Sequence, residues 1–184
     1  MRPEPVARSL SELTAQFARI SQHVREHFAG ADDALLRKRP AAGGWNAAEC
    51  FAHLNLSVDP YFATWEQVLP NCPPADSETY TLDFWGRILV WLVEPPARLR
   101  VPAPATFQPM EIERPQQTVE EFLDRQQAIL RVIEKSAGRA IDKTKLVSPF
   151  NARMRYSVWS SLCVTASHER RHLWQAGRAA GIEG

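Results

Sequence analysis

Five histidines occur in the chain, at positions 23, 27, 53, 168 and 172, and the last two stand four residues apart. In a helix, residues i and i+4 lie one turn apart on the same face, so both imidazoles can reach one cation at about 2.0 to 2.2 Å, the distance a transition metal requires. Such pairs also decorate solvated helix faces, and two features of the sequence favour the metal. The face carrying His168 and His172 also carries Ser161, Thr165, Gln175 and Ala179 beside the apolar stripe of Trp159, Leu162, Ala166 and Leu173, the mixture of a half-buried wall. A third histidine, His53, stands one turn after Glu49 in an earlier helical segment, where a helical bundle could bring it opposite the pair. Three imidazoles from two helices leave positions open for water or substrate, the arrangement of a catalytic rather than a structural site. The competing reading makes His53 a lone boundary histidine, since the apolar arc of its helix is centred about 120 degrees away.

The run His168-Glu169-Arg170-Arg171-His172 also satisfies the His-Glu-x-x-His pattern of zinc proteases, in which the Glu is the general base. Those enzymes take a third ligand well downstream, and the extended form of the motif requires Gly and His where this chain has Gln175 and Arg178. A peptidase is therefore the weakest of the chemical readings. Glu49 is as readily explained by helix capping as by a role near His53. Cys50, a turn before His53, could add a thiolate, but most buried cysteines are inert small hydrophobes. His23 and His27 form another four-residue pair, about 50 to 90 degrees off the apolar centre of their helix, and with no third ligand they read as surface residues. Arg153, Arg155, Arg170, Arg171 and Arg178 gather positive charge near the last helix, either as a solvated face or as a grip on an anionic substrate or thiol cofactor.

These side chains need elements to position them. From Glu4 to Phe28, apolar residues at Val6, Leu10, Leu13, Phe17, Ile20, Val24 and Phe28 draw one stripe along a helix closed by Gly30. A Pro- and Gly-bearing loop follows, from Arg37 to Gly44. Asn46 with Glu49 three residues on forms a capping box, Trp45 can staple the entry, and a helix carrying Phe51, Leu54, Val58, Tyr61, Phe62, Trp65 and Leu69 runs to Pro70, with a kink expected at Pro60. Leu82 to Val93 reads as a short buried helix that leaves only Asp83, Gly86 and Arg87 to meet water, a strand being the alternative. Six of the fourteen prolines fall between Glu94 and Gln116, which predicts a long crossover loop. Thr118 with Glu121 forms the next capping box, opening a helix with Val119, Phe122, Ile129, Val132 and Ile133 that ends at Gly138. After a polar loop with Pro149, Ser157 caps a last helix to about Ala180, before Gly181. No alternating strand pattern is present. The expectation is an all-α single domain over residues 1–184, a mostly antiparallel four-helix bundle with a short extra helix and a long Pro-rich crossover loop.

Composition narrows the function classes. With 45% hydrophobic and 23% charged residues in 184, the chain has the make-up of a folded domain rather than a disordered one. A net charge of +1 offers no bulk field for gripping nucleic acid. The longest apolar run, Ile88 to Val93, is far short of the ~20 residues that span a bilayer, and MRPEPVARSL has no apolar signal core, so a cytoplasmic location without a membrane partner is expected. Cys50, Cys72 and Cys163, odd in number and widely spaced, predict free thiols.

Two segments resemble the DinB-like superfamily of small metal-binding helical bundles, whose members include bacillithiol- and mycothiol-dependent transferases and isomerases and proteins assigned as metal-dependent hydrolases. Trp45-Asn46-Ala47-Ala48-Glu49-Cys50-Phe51-Ala52-His53-Leu54 is similar to the family's Trp-x-x-x-Glu-x-x-x-His-Leu segment, and His168-Glu169-Arg170-Arg171-His172-Leu173-Trp174-Gln175 to its His-x-x-x-His-x-x-Gln ending. The helix order agrees over nearly the whole chain, whereas Leu82 to Gln116 has no counterpart in the resemblance. By resemblance, His53, His168 and His172 are a metal triad, with zinc or nickel the usual ion. Glu169, about 60 degrees from His172 on the helical wheel, is a candidate general base, with a surface salt bridge as its alternative. Gln175, one turn after His172, is a candidate partner for that ligand's second ring nitrogen or for a water. The resemblance implies an enzyme in which a divalent ion activates a thiol or water against a small-molecule substrate, thiol transfer standing ahead of hydrolysis and a low-molecular-weight thiol serving as cofactor. The rival is a non-catalytic metal-binding, stress-response bundle. A homodimer is a mild further expectation.

Overall fold

The computed structural model describes residues 3–41, 43–95 and 105–182. Among them run α1 (Leu10–His27), α2 (Asp33–Arg37), α3 (Ala47–Val68), α4 (Phe84–Val93), α5 (Pro115–Lys135), β1 (Lys145–Ser148), β2 (Asn151–Ser157) and α6 (Val158–Ala180). The described chain is thus mostly helical, with one small antiparallel sheet in which Leu146 faces Tyr156 and Val147 faces Arg155. No helix among the described residues is long and apolar enough to cross a membrane.

The two helices that carry the candidate site begin where their caps dictate. The Asn46 side chain accepts from the Glu49 amide at 2.8 Å while the Glu49 carboxylate accepts from the Asn46 amide at 2.8 Å, so both halves of the capping box at the start of α3 are formed. At the start of α6 the Ser157 hydroxyl accepts from the Ser160 amide at 3.0 Å, and Gly181 closes the helix with a φ of 80°, a conformation open to glycine.

α3 packs against both α5 and α6, α1 packs against the same two helices, and α4 lies on α6. Phe17, Phe28, Phe51, Phe122, Ile129, Trp65, Trp159 and Leu162 fill the interior between them. α3 and α6 run in opposite directions, because His53 meets His168 while, further along α3, the Trp65 indole donates to the Ser161 hydroxyl at 2.8 Å. α3 and α5 run the same way. Phe28 lies at the beginning of both, its ring on Phe51 and its carbonyl bonded by Gln116, and past their ends the Arg139 guanidinium donates to the Leu69 carbonyl at 3.0 Å. The long connection between them returns the chain to the end at which α3 began, which two like-directed helices require.

Several expectations are corrected. α1 starts at Leu10 rather than Glu4, because Ser9 caps it through the Glu12 amide and the preceding residues are extended, leaving Val6 exposed. The short α2, capped by Asp32, lies in a stretch to which the sequence assigned no element. α4 is a helix but not a buried one: Phe84 is 68% and Trp91 54% exposed, with Trp85 and Ile88 also exposed, while Gly86 is the residue pressed inward against Ser160. α5 starts at Pro115, whose missing N–H costs nothing in a first turn, and Thr118 is no cap but lies inside the helix, its hydroxyl donating back to the Arg114 carbonyl. The loop expected before Ser157 contains the β1–β2 hairpin. Of the expected crossover loop from Glu94 to Gln116, residues 96–104 lie outside the described residues, Ala105–Phe107 forms a 3₁₀ turn, and Pro115 and Gln116 belong to α5.

Candidate metal centre

α3 and α6 bring His53, His168 and His172 together. Their nearest ring nitrogens all lie within 4.8 Å of one another, and the ring centroids are 4.5 Å apart for His53 and His172, 4.6 Å for His168 and His172, and 5.1 Å for His53 and His168. The i, i+4 spacing on α6 supplies two rings and the antiparallel approach of α3 supplies the third.

Neighbours outside the cluster orient two of the rings. His53 Nδ1 lies 2.7 Å from the carbonyl oxygen of Phe107, a group that only accepts, so the ring proton sits on Nδ1 and the Nε2 lone pair points inward. That Nε2 lies 3.2 Å from His168 Nε2 and 3.4 Å from the Ser57 hydroxyl, which itself donates to the His53 carbonyl. The Gln175 side chain, one turn on, favours the protonated form of His172, and the His172 Nδ1 is buried with no hydrogen-bond partner. Trp45 forms one wall, its ring 4.8 Å from His53 and stacked on His172 at 5.7 Å.

The electrostatics keep all three rings neutral near pH 7. Burial, with the charge of His53 and Arg171 behind it, pushes His168 down to about 3. Burial and the two neighbouring imidazoles hold His172 well below its ordinary value. Burial lowers His53, against the opposing pull of the Phe107 carbonyl. Neutral imidazoles are the form that ligates metal. The donor set therefore fits a divalent transition ion, three imidazole nitrogens being chemistry that suits several late first-row metals.

Glu169, the residue after His168, lies in the interior rather than in a surface salt bridge. Its Oε1 accepts from the Gln126 side chain of α5 at 2.9 Å, while its Oε2 and the Gln126 Oε1 are buried without partners. Burial pushes its carboxyl up to about 8, against the Gln126 hydrogen bond and the Arg170 charge.

The basic residues near α6 do not form one grip. Arg170 is fully buried in a two-pronged ion pair with Glu94, at 2.6 and 2.8 Å, and also donates to Gln16 and Ser167. Arg171 donates to the Leu92 carbonyl, Arg178 lies over the Trp174 ring, and Arg153 and Arg155 are exposed on β2. Cys50 is buried in the core outside the cluster; it, Cys72 and Cys163 are free, and burial pushes the Cys50 and Cys163 thiols up. His27 is exposed as expected, but His23 is half-buried, its Nε2 enclosed without a partner and its value pushed down to about 4, first by burial. Two features of the centre escape the sequence reading. Trp45 reads there as a helix staple and as the start of the family-like segment, with nothing to place it against the rings, and Phe107 contributes a main-chain carbonyl, for which no side-chain pattern exists.

No curated protein and no solved structure matches the chain. The family model of the DinB superfamily matches residues 16–176, a span that contains all three clustered histidines, Trp45, Glu169 and Gln175. With most of its length matched, the chain belongs to the DinB superfamily.

Proposed function

We propose that this protein is a metal-dependent enzyme of the cytoplasm that uses His53, His168 and His172 to hold a divalent ion, zinc or nickel, and acts on a small electrophilic substrate, with transfer of a low-molecular-weight thiol favoured over hydrolysis. The observation that carries the reading is the convergence of three buried or half-buried imidazoles whose ring nitrogens lie within 4.8 Å of one another. Bound there, such an ion lowers the pKa of a thiol or water and so supplies a nucleophile at neutral pH. The three free cysteines fit a reducing compartment.

The chain's own residues do the rest. The Phe107 carbonyl keeps the His53 proton on Nδ1, and Gln175, one turn after His172, is the proposed partner that orients that ring. Trp45 closes one side against water. Glu169 is proposed as the general base: its carboxyl stays protonated up to about pH 8, so it accepts a proton only in the ionised form that grows as pH rises, and turnover that depends on it should increase toward pH 8. The test is turnover of a small electrophile with bacillithiol, mycothiol or glutathione by the metal-loaded protein. Activity with one of them that disappears in His172→Ala supports the reading. Rates unaffected by that substitution exclude it, and an ion bound without turnover of any substrate leaves a metal-binding bundle as the function.

A further inference from the structure

The His53 ring is oriented by a carbonyl that belongs to no long helix. Phe107 ends the short 3₁₀ turn Ala105–Phe107, and a ligand-orienting bond is only as firm as the segment that supplies it. What holds this segment over His53 is visible in its side chain. The Phe107 ring packs edge-on against Phe150, 4.8 Å between centroids, and Phe150 sits at the tip of the β1–β2 hairpin. Phe150 in turn packs edge-on against Tyr61 at 5.6 Å, two helical turns beyond His53 on α3. The Tyr61 hydroxyl is hydrogen-bonded to Tyr156 of β2, and Tyr61 stacks on Trp65 at 5.1 Å, so this end of the chain of contacts is anchored in the core. The contacts close a loop: α3 presents His53, the 3₁₀ turn orients it, the hairpin tip holds the turn, and α3 holds the tip.

We propose that Phe150 is a positioning residue for the metal ligand His53, acting through the Phe107 ring and carbonyl. This rests on the metal reading of the three histidines, but the geometry of His53 itself does not. The side chain is 42% exposed, so it contributes little to the core, and its place at the hairpin tip is explained by the rings it meets. An edge-on aromatic pair attracts beyond the area it buries, and here it ties the short turn to the hairpin. The hairpin, absent from the sequence pattern of the site, thereby becomes part of its second layer of support.

The experiment compares wild type, Phe150→Ala and Phe150→Tyr by two measurements. The first is zinc affinity by competition with a chromophoric chelator. Loss of an orienting partner costs about 10- to 100-fold in metal affinity, and a contact one step removed is expected at the lower end, about tenfold for Phe150→Ala, with Phe150→Tyr restored to within about twofold of wild type. The second is the tautomer of His53 in metal-free protein, read from its ring ¹⁵N shifts: Nδ1-protonated in wild type and Phe150→Tyr, a mixture of tautomers in Phe150→Ala. Unchanged thermal melting in Phe150→Ala separates positioning from general loosening. Wild-type affinity together with an unchanged tautomer in Phe150→Ala overturns the proposal. Should wild type itself bind no zinc, the metal reading fails, and the tautomer alone then decides whether Phe150 positions His53.

Discussion

Replacing Glu169 by Gln probes the most displaced acid in the interior. In the unfolded chain this carboxyl titrates near 4.5, and in the folded protein burial raises it to about 8. Between those values the folded state holds a proton that the unfolded state has released, so the contribution is fully present below about 4.5 and is lost as pH rises through about 8. The slope approaches one proton per pH unit, and from pH 5.5 to 7.5 it sums to roughly 2–3 kcal/mol. The substituted amide does not titrate. It keeps a carbonyl for the Gln126 amide and adds a donor beside Gln126 Oε1, which has no partner in the wild type. The histidine cluster acts in the opposite sense, its lowered values removing stability as pH falls from about 6.5 toward the value near 3 of His168, but it is common to both proteins and cancels in the difference. Urea unfolding of metal-free wild type and Glu169→Gln at pH 5.5, 6.5, 7.5 and 8.5 should therefore show the variant gaining on wild type by roughly 2–3 kcal/mol between the first and third conditions, with little further change above pH 9. A gap that stays constant with pH, or narrows as pH rises, would refute both the burial of the carboxyl and the rise of turnover toward pH 8 expected of Glu169 as a base.

Two further outcomes follow from the packing of α4. Glu94→Ala strands the buried Arg170 guanidinium with only Gln16 and Ser167, and denaturation should register a loss of about 3–5 kcal/mol, whereas the paired change Glu94→Leu with Arg170→Met should recover most of it. At Gly86 an added Cβ would fall 2.2 Å from the Ser160 hydroxyl oxygen and 2.5 Å from Ser160 Cβ, so Gly86→Ala should lower stability by about 1–3 kcal/mol, and adding Ser160→Gly should relieve part of that cost.

What the sequence made legible was local or periodic. The Asn46/Glu49 box and Ser157 are contained within single turns, and both form as read. The His168/His172 pair is written in the 3.6-residue period itself. His53 needed more, because nothing local says which helices face each other, and the resemblance to a family supplied that. The failures share a physical cause. Arg170 reads as a surface charge until Glu94, 76 residues away, is placed against it. α4 reads as buried because it is apolar all round, yet only the Gly86 side meets α6. The hairpin was missed because the outer residues of β2, such as Arg153 and Arg155, are exposed, and only Tyr156 and Ser157 turn inward, too few to show alternation. At α5 the Thr118–Glu121 pattern competed with Pro115, and the proline prevailed because a first turn asks no N–H of it.

Metal content measures the central claim most directly. Untagged protein, His53→Ala and His172→Ala, each incubated with zinc or nickel and then freed of loose ions, can be analysed by mass spectrometry for metal per chain. The arrangement of three neutral imidazoles predicts about one ion per wild-type chain and its loss in both variants. Wild-type protein that retains neither metal would contradict the account, and would make the three histidines packing residues.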